Sequence, residues 1–240
     1  MKRVLTLFVG LSIWSSIEAQ SFQAFCSTQT MNGVMVDICA YHGEILSTGF
    51  FTTICGESVG HMAKLSDNQW LPFNVELSDP GHSLFPFGDS LFIAKYEEVD
   101  DSNALLLYYG DTLTEVGEKV TLTTATGFFN VPNIYDVLIY QGEVLISGEF
   151  DVVGDDTIRG VALWDGTQWN SMGIGLADGI DGTAPLMYPH QMKVYNDQLY
   201  VLGNFKYAGG ASRERRSSRR ALRDLLRTSN AWNLPPYGSG

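Results

Sequence analysis

The stretch that decides the fold is YDVLIYQGEVLISGEF, residues 135–150, in which two apolar runs are joined by a Gln-Gly turn. The same frame recurs in VMVDICAYHGEILSTGF, residues 34–50, and in QMKVYNDQLYVLGNF, residues 191–205. A weaker copy, FGDSLFIA, occupies residues 87–94. Each copy predicts an antiparallel pair of strands, because the turn residues tolerate the positive φ that two-residue hairpins require.

A second half follows each of the first three hairpins. The run VALWDGTQW at residues 161–169 matches MAKLSDNQW at residues 62–70, and LLLYYGDTL at residues 105–113 fills the same slot. Each unit therefore predicts strand, tight turn, strand, longer loop, strand, tight turn, strand. Four short strands in about 50 residues are typical of one blade of a β-propeller.

We therefore predict an all-β chain, a β-propeller of about four units within residues 20–210 that forms either a closed or an incomplete ring. Equivalent points in the units are spaced by 46, 53 and 55 residues, at Leu46, Phe92, Leu145 and Tyr200. The predicted units lie near residues 34–73, 86–117, 134–173 and 191–240.

These runs, with MGIG at residues 172–175, resemble the blades of exported bacterial β-propeller proteins of the kelch-like or galactose-oxidase-like kind. The resemblance covers most of residues 34–210 and implies the fold alone, since propellers carry many unrelated functions. The copper-oxidase residues of that family cannot be carried over, because no Cys–Tyr–His set occupies matching positions. The C-terminal secretion-sorting tail that many of these proteins carry has no counterpart in this sequence.

The repeat pattern breaks after residue 210, and residues 211–240 form an atypical, Arg-rich end to the fourth unit. One interpretation is a basic segment that binds an anionic partner or a membrane surface. The other is a frame or gene-model error. The break falls in the middle of a blade, where strand pairing is needed, and this favours the error and a longer natural protein.

The first residues have the pattern of a signal peptide, residues 1–19. Lys2 and Arg3 precede an apolar run at residues 4–14, and the small residue Ala19 stands at the expected cleavage point. That run is shorter than a bilayer span, and no other stretch is long and apolar enough for one. We expect a secreted or cell-surface protein without a transmembrane segment.

The charge distribution argues against nucleic acid as a partner. The chain carries a formal net charge of -12, and residues 21–212 alone contain 24 acidic and 6 basic residues. A surface of this sign repels a phosphate backbone.

The three cysteines allow one disulfide bond and leave one thiol. Cys39 falls late in the first predicted strand, and Cys55 lies in the loop after its partner strand. We therefore predict a bond between Cys39 and Cys55, with Cys26 left over.

The histidines carry no catalytic motif. His42 occupies a hairpin turn, and His61 comes just before a strand. His82 and His190 are expected in the connections between units. None has an acidic or nucleophilic partner at a spacing typical of catalysis, so we predict no catalytic residue.

The carboxylates of the long loops are the predicted binding residues. In four-stranded blades the tight turns share one face of the ring and the long loops share the other. Two long loops of the third unit carry Asp151, Asp155, Asp156, Asp178 and Asp181. These oxygen ligands on flexible loops would suit weak Ca²⁺ binding, with hydrated carboxylates and no metal as the alternative. No other cofactor is expected.

The sequence thus predicts an exported binding or adhesion module whose long loops contact a protein or carbohydrate ligand. Two alternatives remain open. One is an extracellular carbohydrate-active enzyme that uses pairs of loop carboxylates about 5–10 Å apart. The other is a fragment of a larger surface protein.

Overall fold

A computed structural model describes residues 31–123, 131–172, 175–177, 188–196, 198–205, 207–208 and 211–212. Within these ranges every regular element is a β-strand and every strand pair is antiparallel, so the all-β prediction is confirmed. None of these residues forms a helix with the length and hydrophobicity that crossing a membrane requires. The predicted signal peptide and residues 213–240 lie outside the described ranges.

The first unit is a four-stranded sheet in the order β1-β2-β5-β6. A two-stranded hairpin, β3–β4, lies in the loop between β2 and β5. The strands are β1 (Met35–Tyr41), β2 (Glu44–Gly49), β3 (Thr53–Ile54), β4 (Glu57–Ser58), β5 (Met62–Ser66) and β6 (Gln69–Pro72).

The second and third units repeat this plan. Their strands are β7 (Gly81–Phe87), β8 (Ser90–Glu97), β9 (Ser102–Tyr109), β10 (Thr112–Glu115), β11 (Val120–Thr121), β12 (Asn133–Tyr140), β13 (Glu143–Glu149), β14 (Val152–Val153), β15 (Val161–Trp164) and β16 (Trp169–Ser171). The second unit runs β7-β8-β9-β10, and the third runs β12-β13-β15-β16.

The described residues of the fourth unit form the hairpin β18–β19, and a small sheet in the order β17-β20-β21 lies beside it in the sequence. Its strands are β17 (Leu176–Ala177), β18 (Tyr188–Tyr195), β19 (Gln198–Asn204), β20 (Tyr207–Ala208) and β21 (Ala211–Ser212).

Short strand pairs connect successive units. β11, which follows the second unit, pairs with β14 in the long loop of the third. β17, which follows the third unit, pairs in the same way with β20, which follows the fourth unit's hairpin. We call these two pairs the clasps, because each gives one unit a strand from its neighbour.

The hairpin turns have the left-handed backbone conformation that their residues tolerate. His42, Gln141 and Asn196 have φ of 48°, 53° and 49°, in the left-handed region. Asp165, in the turn between β15 and β16, accepts hydrogen bonds from the backbone N–H groups of Thr167 and Gln168 at 2.9 and 3.0 Å. The side chain of Thr167 donates to the same carboxylate, and these bonds lower the pKa of Asp165 to about 2. The Trp-Asp-Gly run is therefore a turn motif.

Each unit has an irregularity at the same point of its first strand. The pairing with the second strand skips one residue, which is characteristic of a β-bulge. The skipped residues are Val36, His82, Tyr135 and His190.

A glycine accompanies every bulge. The residue pair just before the skipped residue is Met35 and Gly49 in the first unit, and Ile134 and Gly148 in the third. In the second unit the glycine is on the other strand, at Gly81. A Cβ on Gly148 would lie 1.9 Å from the carbonyl oxygen of Asn133, so no larger residue fits. The glycine of the recurring Gly-Phe and Gly-x-Phe endings is the sequence trace of this close approach.

Successive sheets pack face to face, and the core lies between them. We call the face with Ile38 and its equivalents the leading face of a unit, and the face with Tyr41 and Leu46 the trailing face. Each trailing face packs on the next leading face.

The core between units one and two contains, among others, Tyr41, Leu46, Met62, Leu84, Leu91 and Ile93. The core between two and three contains Phe92, Ala94, Leu105, Val137, Ile146 and Ala162. The core between three and four contains Leu138, Leu145, Val161, Met192 and Leu199.

Aspartates on first strands bond across two of these contacts. Asp37 of β1 accepts a hydrogen bond from the backbone N–H of Leu84 in β7, at 2.7 Å. Asp136 of β12 accepts one from Met192 in β18, at 2.5 Å. A carboxylate that accepts a backbone N–H fixes the position of one first strand against the next.

The predicted disulfide bond between Cys39 and Cys55 is wrong. Cys39 carries a free thiol, whereas Cys55 is disulfide-bonded. The reason is geometric. Cys39 packs against the core between units one and two, while Cys55 packs against a separate cluster around Phe51. Cys26 lies outside the described residues.

We expect Gly148→Ala to lower the free energy of unfolding by at least about 2 kcal/mol, because the new methyl group overlaps the Asn133 carbonyl. Gly142→Ala is the matched control. A Cβ there meets nothing within 4 Å, so only its φ of +88° is unfavourable, at a cost of about 1 kcal/mol. Urea denaturation compares the two. Equal losses would contradict the close approach at the bulge.

Burial, with a further contribution from Asp37, raises the pKa of the Cys39 thiol to about 11. Its thiolate fraction at pH 8 is then on the order of a hundredfold below that of an ordinary cysteine. We expect slow alkylation of Cys39 by iodoacetamide in the native protein and fast alkylation in denaturant, a reaction that Cys39→Ser removes. A peptide linking Cys39 to Cys55, or fast alkylation of Cys39 in the native protein, would contradict this assignment.

Candidate functional site

A cavity of about 420 Å³ lies on the face of the tight turns, where the first unit meets the second. We call it the turn pocket. Four aromatic residues contribute to its lining: Tyr41, Phe73, Tyr108 and Tyr109. Three carboxylates border it: Glu44, Asp89 and Asp111.

Hydrogen bonds between the two units hold the lining in place. The hydroxyl of Tyr41 donates to the backbone carbonyl of Asp89 at 2.8 Å. The hydroxyl of Tyr108 donates to Oδ1 of Asp111 at 2.6 Å, and Nδ2 of Asn74 donates to the same oxygen at 3.1 Å. The pocket is therefore fixed by bonds from β1, from the segment after β6 and from the two turns of the second unit.

The hydrogen bonds also set the charge of the lining. Those from Tyr108 and Asn74 lower the pKa of Asp111, so this carboxylate is ionised at neutral pH. Burial, together with the neighbouring carboxylates, raises the pKa of the Tyr41 and Tyr108 hydroxyls. Both phenols are therefore neutral donors, and the negative charge of the pocket resides on carboxylates.

The rim of the pocket holds one basic ring and one nearby lysine. Nε2 of His42 lies 3.2 Å from a carboxylate oxygen of Asp89, and its ring stacks on Tyr41 with centroids 4.2 Å apart. Lys64 pairs with Glu44 at 3.3 Å but does not itself line the cavity. No lysine or arginine is among the ten lining residues, so the pocket repels anions and attracts cations.

A second group of polar and aromatic side chains lies at the bulges, and we call it the bulge row. The ring of His82 lies near Phe50 of the first unit and Tyr96 of its own, with centroids 5.7 and 6.1 Å apart. In the next units Tyr135 lies 5.7 Å from the ring of His190. The bulges thus bring side chains of all four units to the same end of the first strands.

His82 is a half-buried member of the bulge row. Its Nδ1 lies 2.8 Å from Oδ1 of Asn133, so the tautomer with Nδ1–H donates a hydrogen bond to this oxygen of the third unit. Burial lowers the pKa of His82, and the bond to Asn133 opposes this only in part. The expectation that His82 and His190 lie in connections between units is wrong, because they lie in β7 and β18.

The predicted binding carboxylates are not equivalent. Asp151 is buried, and its two oxygens accept hydrogen bonds from the backbone N–H and hydroxyl of Thr123 at 2.7 and 3.0 Å. Asp155 and Asp156 are exposed in the loop after β14. Asp178 and Asp181 lie outside the described residues. The carboxylate of Asp151 thus holds the chain near a clasp.

Within the described ranges, no group of three or more His, Cys, Asp or Glu side chains is placed to hold a metal ion. Calcium binding by the loops of the third unit remains a prediction, because two of its five carboxylates fall outside those ranges.

Sequence reasoning missed the turn pocket. Its residues come from four separate segments between Tyr41 and Asp111, and each segment alone has the composition of an ordinary turn. One signal was available. The second unit has a Gly-Asp pair in both of its tight turns, at Asp89 and at Asp111, and tight turns of one unit share a face.

Comparisons of the chain with protein-family models, with curated proteins and with solved structures found no match. The site must therefore be interpreted from its own geometry.

We expect the stability of the protein to fall as pH decreases through about 6.5, the ordinary value for histidine. The pKa of His82 is lower in the folded chain, so between the two values the unfolded chain binds more protons. His82→Gln should lose less stability than the wild type between pH 7.5 and 5.5 in urea denaturation. Val99→Gln, at an exposed position that carries no titratable side chain, is the control and should keep the wild-type dependence. An unchanged dependence in His82→Gln would contradict the assignment.

Proposed function

We propose that this protein is an exported β-propeller binding module and that its turn pocket takes a cationic group of a protein partner, such as a lysine or arginine side chain. The observation that carries the proposal is a preformed cavity whose charged lining residues are carboxylates and whose remaining wall is largely aromatic.

The propeller arrangement is supported by the way the units follow one another. Each sheet after the first packs its leading face on the trailing face of the preceding sheet, and each first strand carries a bulge at the same position. A series of four-stranded antiparallel sheets related in this way is typical of blades. Export is supported by the pattern of residues 1–19.

The cationic class of ligand is supported by the electrostatics of the pocket. Asp111 is held ionised by its donors, and Asp89 is exposed at the rim. Aromatic rings add to the attraction, because a cation near the face of a tyrosine ring is stabilised by about 0.5–2 kcal/mol. The acidic surface of the whole chain would speed the approach of a basic partner.

The direct test is calorimetric titration with a tetralysine peptide, with neutral maltotetraose and with a tetraglutamate peptide. We expect binding of tetralysine and none of tetraglutamate. The double variant Asp89→Asn, Asp111→Asn should weaken tetralysine binding about tenfold or more, because the carboxylates contact the cation at close range.

The matched control is Asp155→Asn, Asp156→Asn, which removes the same charge from the loop of the third unit. It should change the affinity less than about twofold, because exposed charges beyond a Debye length are screened. Equal losses in both variants would show a response to net charge alone. Binding of maltotetraose with no binding of tetralysine would replace the cationic ligand with a carbohydrate.

A further inference from the structure

Along β1 and the start of β2, the leading face of the first unit lacks the cover that the other three leading faces have there, whereas Ser47, Ala63 and Trp70 on the same face are buried. Ile38 is 59% exposed, whereas its equivalents Leu84, Val137 and Met192 are 1–5% exposed. Ile45 on the same face is also exposed, whereas its equivalents Leu91 and Leu199 are buried. The difference lies in the neighbour, since the residues at these positions are similar in size and apolar in every unit.

A cluster on this face, buried within the first unit, corresponds to one part of the larger core between units two and three. Phe51, Val59, Ala63 and Trp70 form a cluster of their own in the first unit. Their equivalents, 99 positions further on, are Phe150, Ile158, Ala162 and Trp169. In the third unit these four are joined by Phe92, Ala94 and Leu105 from the trailing face of the preceding unit. Within the described ranges no trailing face supplies such residues to the first unit.

The complementary face is exposed at the other end of the series. Tyr195 on the trailing face of the fourth unit is 65% exposed, whereas its equivalents Tyr41 and Tyr140 are each 7% exposed. Leu202 on the same face is also exposed. Tyr200 stands at the position of Phe92, the aromatic residue that fills the core between units two and three.

We propose that these two exposed faces form a head-to-tail interface between copies of this chain, with the trailing face of the fourth unit in one copy packed on the leading face of the first unit in another. The interface would continue the pattern already seen three times between successive units. Ile38 on the first of these faces and Tyr195 on the second are exposed in one chain, so the ring of the proposed propeller would be completed between copies and not within one chain. An interface between different patches of two copies closes into a ring or extends into a chain.

The interface is tested by measuring the mass of the full secreted chain with light scattering and sedimentation, from about 1 to 100 μM. We expect the mass to at least double across this range. Ile38→Lys blocks the leading face, Tyr195→Asp blocks the trailing face, and each variant alone should remain monomeric. Both side chains are exposed in the single chain, so circular dichroism and melting temperature should match the wild type.

Mixing the two variants separates this interface from others. The intact trailing face of the Ile38→Lys copy can still meet the intact leading face of the Tyr195→Asp copy, so the mixture should form a 1:1 dimer. Val99→Lys, in an exposed loop away from both faces, is the control and should associate like the wild type.

A wild-type chain that stays monomeric over the whole range would overturn the proposal. So would association of Tyr195→Asp alone, which would indicate that two leading faces meet each other. A mixture that remains monomeric would also overturn it. None of these measurements involves the turn pocket, so their outcome tests the interface independently of the cationic ligand.

Discussion

A four-stranded sheet with apolar residues on both faces cannot bury both by itself. In the third unit Leu145 faces the fourth unit and Ile146 faces the second, and both are fully buried. Burial of one such side chain stabilises the fold by about 1.5–3 kcal/mol, so a sheet that lies between two others is stabilised by both neighbours. This requirement for neighbours orders the units and creates the contact between the first and second units that holds the turn pocket.

The hairpins could be predicted from the sequence because their signals are local. A two-residue turn with residues that tolerate positive φ, between two apolar runs, specifies its own pairing. The bulges could not be predicted in the same way, because the skipped residues Val36, His82, Tyr135 and His190 share no chemistry. Only the glycines that accompany the bulges are visible in the sequence, as the recurring Gly-Phe and Gly-x-Phe endings.

The candidate site, unlike the hairpins, could not be predicted from local signals. Counting carboxylates along the chain finds the loops with most charge, but a pocket requires walls from more than one unit. Asp151 illustrates the difference, because its carboxylate is engaged by Thr123 and stabilises the chain from within. The cysteine pairing failed for a related reason. Proximity in sequence does not reveal which packed cluster each thiol joins, and Cys39 and Cys55 join different ones.

The clasps bear on how such a chain could have grown by duplication. Because β11 pairs with β14 and β17 with β20, part of the hydrogen bonding of the third and fourth units is supplied by the chain segment that follows the preceding unit. A gene duplication that copied one sheet alone would leave a clasp strand without its partner at each junction. A duplication that ran from one clasp strand to the next would insert a new unit with both junctions intact. The stretch of sequence that such a duplication copies is therefore offset from the folded sheet, and its boundaries fall in the clasps.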